Sequence, residues 1–361
     1  MLIKIQIFFL FLLAPIIGSL LFFTQLNPYS SIEEANLIDQ YTEIEDQSDW
    51  MQQFLFEKRE VITETKQIVQ DSNEVLGYIQ NNAYEELSDY LVQQERIESL
   101  VEASTGYQQR STNLIEQLLA TMLGDPIGQT FGENSIVKVY SLEEAGYRGF
   151  MAKVRVLHPD GIRMVLANDE IASSGETTSQ AAKRSDAILA INAGGFASQG
   201  GQLHPIGITV IDGEIVTFYD TSISFIGFNQ TGNLVGGNIT SREEIKELGV
   251  QQGASFHPTL LKDGEKLPIP ARWANARHPR TLVGHFTNGD LFFMVIDGRR
   301  AGWSEGVTLE DAQEKLLEFN IRDAYNLDGG GSSTFYYDGE VLNKPSGGQE
   351  RRVTTNIVIL P

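Results

Sequence analysis

The sequence predicts a strand-rich α+β fold, and three observations carry that prediction. Beyond about residue 125, short apolar runs alternate with Asp-Gly and Asn-Gly turn dipeptides. Few stretches there have helical patterning. Everything before that point lacks the alternation and has helical composition instead. Three regions follow: residues 1–30 as an anchor, 31–125 as an acidic helical stalk or bundle, and 126–361 as a mixed α/β domain.

The first region is defined by charge. Ile5 to Phe23 is a run of 19 residues without a charged side chain, preceded by Lys4. That is just long enough to span a bilayer, and no A-x-A-like cleavage site follows closely. An uncleaved signal-anchor is expected, with a cleaved leader as the alternative. The next basic residue is Lys58, so the positive-inside bias keeps the N-terminus cytoplasmic and exports the rest.

The second region, to Leu123, has no proline after Ser31 and very little glycine. Leu55, Ile62, Val69, Leu76, Ala83, Tyr90 and Ile97 recur every seven residues, with Phe54, Val61, Ile68 and Val75 beside them. Such a stripe suits a coiled coil, and a homodimer through it, or a long-helix bundle. Lys58, Thr65 and Ser72 make the second seam imperfect. Gly106 is expected to break the run before a last helix, Asn113 to Met122.

Gly124 to Ser135 reads as a linker. Strands are expected at Ile136–Val139, Ala152–Val156, Met164–Ala167, Ile188–Ile191, Ile208–Ile211, Ile215–Phe218, Ile223–Phe228, Thr281–His285, Leu291–Ile296, Tyr325–Leu327, Phe335–Tyr337 and Ile357–Leu360. Asp160-Gly161, Asp212-Gly213, Asp263-Gly264, Asn288-Gly289 and Asp338-Gly339 are read as hairpin turns. Helices are expected after Thr177 or Thr178 and after Thr308, each a capping residue.

Composition limits the function. The formal charge is −21, and Ser31 to Asp125 alone holds 20 acidic against 5 basic residues, so nucleic acid is excluded as a partner. No cysteine is present, which removes disulfides, zinc–thiolate sites and cysteine nucleophiles. The five histidines never fall at H-x-x-x-H spacing, and no EF-hand loop occurs. No cofactor is firmly implied; a calcium ion on aspartate-rich loops stays open but unsupported.

Four segments share a design in which a strand enters a turn carrying glycine and a polar side chain: "AINAGGF", "ARHPRTLVG", "VIDGRRAGWSEG" and "NLDGGGSS". Glycines there let backbone approach a ligand and aim N–H groups at an anion. None has Walker or dinucleotide-loop spacing.

With "HPIG" (His204 to Gly207), "GVTLED" and "RRVTTNIVI", these segments occur in an order that resembles the phosphodiester glycosidase family, over about Lys138 to Leu360. The resemblance implies a phosphodiester-glycosidase-like catalytic domain that hydrolyses the sugar C1–O bond of a glycosyl phosphodiester. Bacterial relatives are loosely tied to exopolysaccharide. Asp328 and Asp297, each at a strand end beside glycine, are the candidate carboxylates at the anomeric carbon, with Glu305 a third choice. Arg280, Arg299 and Arg352 are the candidate phosphate ligands, with Arg277, Arg300 and Arg351 as alternatives or surface charge. Asn192, Gly194, Gly195, His204, Gly329, Gly330, Ser332 and Ser333 complete the expected substrate-binding set. Asp-Gly pairs also form plain turns, and Asn192 or the serines can simply cap. The competing account is a non-catalytic wall- or polysaccharide-binding module displayed on the stalk. It would keep the arginines, Trp273 and Trp303 without needing either aspartate. A phosphoesterase cleaving P–O is disfavoured, since no two-metal ligand cluster is visible.

Overall fold

The computed structural model describes residues 49–361, so the expected anchor at Ile5 to Phe23 lies outside the described residues. Among the described residues, no helix is long and apolar enough to cross a membrane. The described residues divide into two units, with the boundary between Ile97 and Glu98.

One helix, Asp49–Leu123, runs unbroken through Gly106. The expected break is absent because a lone helical glycine costs only about 1 kcal/mol against alanine, while each flanking residue keeps its hydrogen bond. In the first unit the seven-residue stripe is open to solvent: Ile62, Val69 and Leu76 are 41%, 55% and 39% exposed. Thr65 and Ser72, which interrupt the seam, return their hydroxyls to the Val61 and Ile68 carbonyls of their own helix.

In the second unit the last helical turns are core. Ile115 and Leu119 are buried. Glu116 takes Lys138 at 2.7 Å and Lys153 at 2.8 Å, and Lys153 also meets Asp290 at 2.7 Å. The linker reading of Gly124 to Ser135 therefore holds only in part, because Gly128–Phe131 pairs antiparallel with Ser135–Glu144.

The centre is an eight-stranded antiparallel sheet. Its order is Gly128–Phe131, Ser135–Glu144, Tyr147–Val156, Leu291–Ile296, Arg280–Phe286, Ile321–Leu327, Thr259–Lys262 and Glu265–Lys266. One face, with Phe292, Met294 and Ile296, packs on Ile115, Leu119 and the helix Leu309–Glu318. The other, with Phe293, Val295 and Leu327, packs on two five-stranded sheets. Leu291–Ile296 is consequently buried on both sides, which explains its unbroken apolar run.

Every expected strand is present, with ends shifted by a few residues. Thr177 and Thr308 cap their helices through the Gln180 and Asp311 N–H groups. Four turn dipeptides sit between paired strands; Asp160-Gly161 instead lies in a 3-10 turn joining different sheets.

Candidate active site

The sheet register brings the glycine turns together. Thr281 pairs with Leu327 and Arg280 with Ile296, so residues 278–280, 297–299 and 328–330 share one end of the large sheet. In the neighbouring sheet Asn356 pairs with Asn192, which brings residues 192–195 and 351–354 to the same region. The Asp328 N–H donates to the Ala193 carbonyl at 3.0 Å, tying the two sheets there.

Asp328 is half-buried, with the edge of its turn open to solvent. Burial pushes its carboxyl up to about 6, against the Ser332 hydroxyl, the charge of Arg351 and the Gly329 N–H, which favour the ionised form. The Ser332 hydroxyl is near that carboxyl without forming a hydrogen bond of good geometry. Both Ser332 and Ser333 are buried with unpartnered hydroxyls.

Arg299 and Arg351 stand at the turn, whereas Arg352 does not. Arg299 sits within 3.3 Å of where a Cβ on Gly330 would be, and its Nη2 meets His278 Nδ1 at 3.2 Å. Burial, then Arg299 and Arg280, depress the His278 pKa. Arg351 places its guanidinium 4.9 Å above the Phe196 ring and its Cδ beside Gly331. Neither Arg299 nor Arg351 forms an ion pair among the described residues. Arg352 turns the other way and donates to the Gly175 carbonyl at 2.8 Å, so its neighbour Arg351 is the one that faces Asp328.

Other expected site residues are used inside the protein. Arg280 is 2% exposed; it donates to the Val307 carbonyl at 3.2 Å and the Ala276 carbonyl at 2.8 Å, and burial lowers its pKa to about 10. It braces the loop beneath Arg299 instead of presenting a fork to solvent. Asn192 is fully buried: its NH2 donates to the Asp328 carbonyl, and its Oδ1 accepts from Thr281 Oγ1 at 2.9 Å and the Thr334 N–H at 3.1 Å. In this arrangement it orients Asp328 and has no surface for a sugar. Gly194 and Gly195 are packing glycines, since a Cβ would lie 2.8 Å from Ala254 and 2.7 Å from Phe256. Gly329 likewise passes against the Pro279 carbonyl, to which Gly330 at φ +63° donates its N–H. These glycines thus serve the turn's own packing.

Asp297 also departs from expectation. It is 1% exposed, and its carboxylate accepts from Trp303 Nε1 at 2.8 Å, Asn343 Nδ2 at 3.0 Å and the Lys344 N–H at 2.9 Å. That occupancy makes it an anchor for the 343–344 loop. Arg300 donates to Pro345 O and Arg277 to Gly306 O, both away from the turn. His204, in the hairpin Phe196–Gln199/Gln202–Pro205, pairs across with Ala197. Glu305 is exposed, and its backbone bonds to Gly146 and Arg299.

Two features escaped the sequence. Phe196 ends the "AINAGGF" segment but is not among the expected site residues, and the 343–350 loop carries no motif. A separate cleft of about 470 Å³, lined by Arg163, Asp212, Gln230, Gln251 and Gln252, shares no residue with the Asp328 site. Its Asp212 carboxylate is already engaged by Gln252 at 2.7 Å. Among the described residues, no three His, Asp or Glu side chains converge as metal ligands.

Residues 185–360 match the phosphodiester glycosidase family model. Over this span the chain is similar to the phosphodiester glycosidase family. The SPbeta prophage-derived uncharacterized protein YomE of Bacillus subtilis is 33% identical over 196 residues, covering 51% of this chain and 29% of that protein. Human N-acetylglucosamine-1-phosphodiester alpha-N-acetylglucosaminidase is 25% identical over 187 residues, 47% of this chain and 36% of its own length. The chain therefore spans about a third of these curated relatives. Among solved structures, the zebrafish catalytic domain of that glucosaminidase, auto-inhibited by its pro-peptide, superposes with a TM-score of 0.55 at 21% identity. It covers 64% of this chain and 85% of the zebrafish one. A hypothetical protein from Synechocystis gives 0.53 at 14% identity, over 65% and 64%. Both superpositions share the strand-rich mixed α/β fold.

Proposed function

We propose that this domain hydrolyses glycosyl phosphodiesters at the sugar C1–O bond, with Asp328 acting at the anomeric carbon. The observation that carries the reading is the half-buried Asp328 carboxyl, raised to about 6, at a glycine turn where Arg351 and Arg299 stand with no ion-pair partner among the described residues. A phosphodiester carries a fixed negative charge, which arginine binds well. Its phosphate leaves without strong protonation, so one carboxylate that attacks, or activates water at, the oxocarbenium-like carbon suffices. The human and bovine relatives are named for an N-acetylglucosamine-1-phosphodiester, and N-acetylglucosamine is accordingly the first sugar to test.

Asp297, Asn192 and Arg280 take supporting roles in this reading: they fix the loops around Asp328 and do not touch substrate. The uncharged run Ile5 to Phe23 supports an exported, membrane-anchored enzyme acting on cell-surface polymers. The solvent-open seven-residue stripe supports a homodimer through the helical region.

The test incubates the protein with a methyl phosphodiester of N-acetylglucosamine in ¹⁸O-water, beside Asp328→Asn. Label in the released sugar, lost with the variant, is the expected result. Label in phosphate means a phosphoesterase instead. Binding of anionic wall polymer without turnover means a display module.

A further inference from the structure

Arg351 is the cation that acts on Asp328, and its side chain is restrained only by the Phe196 ring 4.9 Å beneath it. It is exposed and makes no hydrogen bond or ion pair among the described residues. The segment before it, Ser346 to Gln349, contains two glycines and is largely exposed. The restraint on its backbone comes from the residue next to it. Glu350 accepts the Ser179 N–H at 2.9 Å on one carboxylate oxygen and the Ser179 hydroxyl on the other.

Ser179 is a firm post. It lies in the first turn of Thr178–Arg184, whose Thr177–Gln180 capping box is complete. The adjacent Thr178 hydroxyl donates to Asn356 Oδ1 at 2.7 Å, in the strand beside Asn192. After Arg351 the chain is pinned again. Arg352 donates to Gly175 O, and Val353 and Glu176 exchange backbone bonds of 3.0 and 3.1 Å. Arg351 is thus held between two fixed points, and only Glu350 supplies the first.

We propose that Glu350 is a positioning residue: by gripping Ser179 it holds Arg351 over the glycine turn, against Phe196 and beside Asp328, where Arg351 meets the substrate's anionic group. The last clause rests on the glycosidase reading; the positioning itself does not. Asp328 is faced by Arg351, the Ser332 hydroxyl and the Gly329 N–H. Arg299 stands beside Gly330, with His278 next to it. Loss of Glu350 changes only the first of these.

The test is a ¹³C NMR titration of the Asp328 carboxyl in the full chain in mild detergent, with wild type, Glu350→Ala, Arg351→Ala and the double variant. No substrate is needed, so failure here is separate from failure of the ¹⁸O experiment. Arg351→Ala is expected to raise the Asp328 pKa by about half a unit or more, because an attracting cation is removed. Glu350→Ala is expected to raise it in the same direction, and the double variant no further than Arg351→Ala alone. An unmoved pKa in either single variant, or additive shifts, overturns the proposal. If Glu350→Ala does not fold, Glu350→Gln replaces it, since its amide oxygen still accepts one Ser179 bond. A smaller shift of the same sign supports the positioning role, and no shift overturns it.

Discussion

Replacing Asp328 by asparagine should make the protein more stable at neutral pH while removing its activity. Burial raises the Asp328 pKa from 3.8 to about 6, a change of roughly two units. At 1.36 kcal/mol per unit this is about 3 kcal/mol. The sign follows from proton binding. A folded-state pKa above the unfolded value means the native protein holds the proton more tightly. That contribution is complete below pH 3.8 and disappears as pH rises through 6. Above pH 6 the native state carries a poorly solvated carboxylate, which asparagine avoids. Urea unfolding of the full chain and of Asp328→Asn, in mild detergent at pH 3.5 and pH 7.5, separates the term from general acid effects. The expected pattern is near-equal stability at pH 3.5 and a gain of up to about 3 kcal/mol for the variant at pH 7.5. A variant no more stable than wild type at pH 7.5, or favoured equally at both pH values, would refute a desolvated Asp328. On the proposed reading the same desolvation leaves the ionised group weakly solvated for reaction, so stability and function would oppose each other at this residue.

Three further outcomes follow from the same geometry. Activity on a glycosyl phosphodiester, measured as kcat/KM against pH, should rise through about pH 6 as Asp328 ionises. Arg351→Ala should raise KM about tenfold or more, whereas Arg352→Ala, whose guanidinium holds only Gly175 O, should change it little; steady-state kinetics at fixed ionic strength compares them. Asp297→Ala should cost about 3 kcal/mol or more in urea unfolding, because Trp303 Nε1, Asn343 Nδ2 and the Lys344 N–H lose their shared acceptor together.

Secondary structure was legible where local chemistry decides it. Period-two apolar runs located the central strands, and Asp212-Gly213, Asp263-Gly264 and Asp338-Gly339 marked real hairpins because both residues adopt positive φ. Thr177 and Thr308 marked helix starts because a threonine before a helical run has a specific acceptor role. What failed was non-local. Val250–Ser255 was missed because "VQQGAS" alternates poorly, yet it is central in its sheet, between Phe225–Asn229 and Ile208–Ile211. The pull of Ile115 and Leu119 into the domain core was also invisible, since their partners Tyr140, Leu282 and Leu316 are distant in sequence.

The two aspartates show where sequence reading of a site stops. Asp297-Gly298 and Asp328-Gly329 look alike: each ends a buried strand, and the register places both at the same end of one sheet. Their difference lies entirely in what surrounds the carboxylate. Asp297 is met by an indole, an amide and a backbone N–H, drawn from Trp303 and from a loop nearly fifty residues later. It is satisfied, and a satisfied carboxylate has little left with which to attack or to activate water. Asp328 is half-buried without comparable compensation; its neighbours are an imperfectly placed hydroxyl, one N–H and an arginine held from outside. An under-compensated carboxyl is costly to the fold, and tertiary structure tolerates it here through Asn192, which grips the Asp328 carbonyl while Thr281 and Thr334 hold Asn192. The motif residues thus divide by role. Asn192 and Asp297 hold the arrangement together, and Asp328 is the carboxyl it leaves under-compensated.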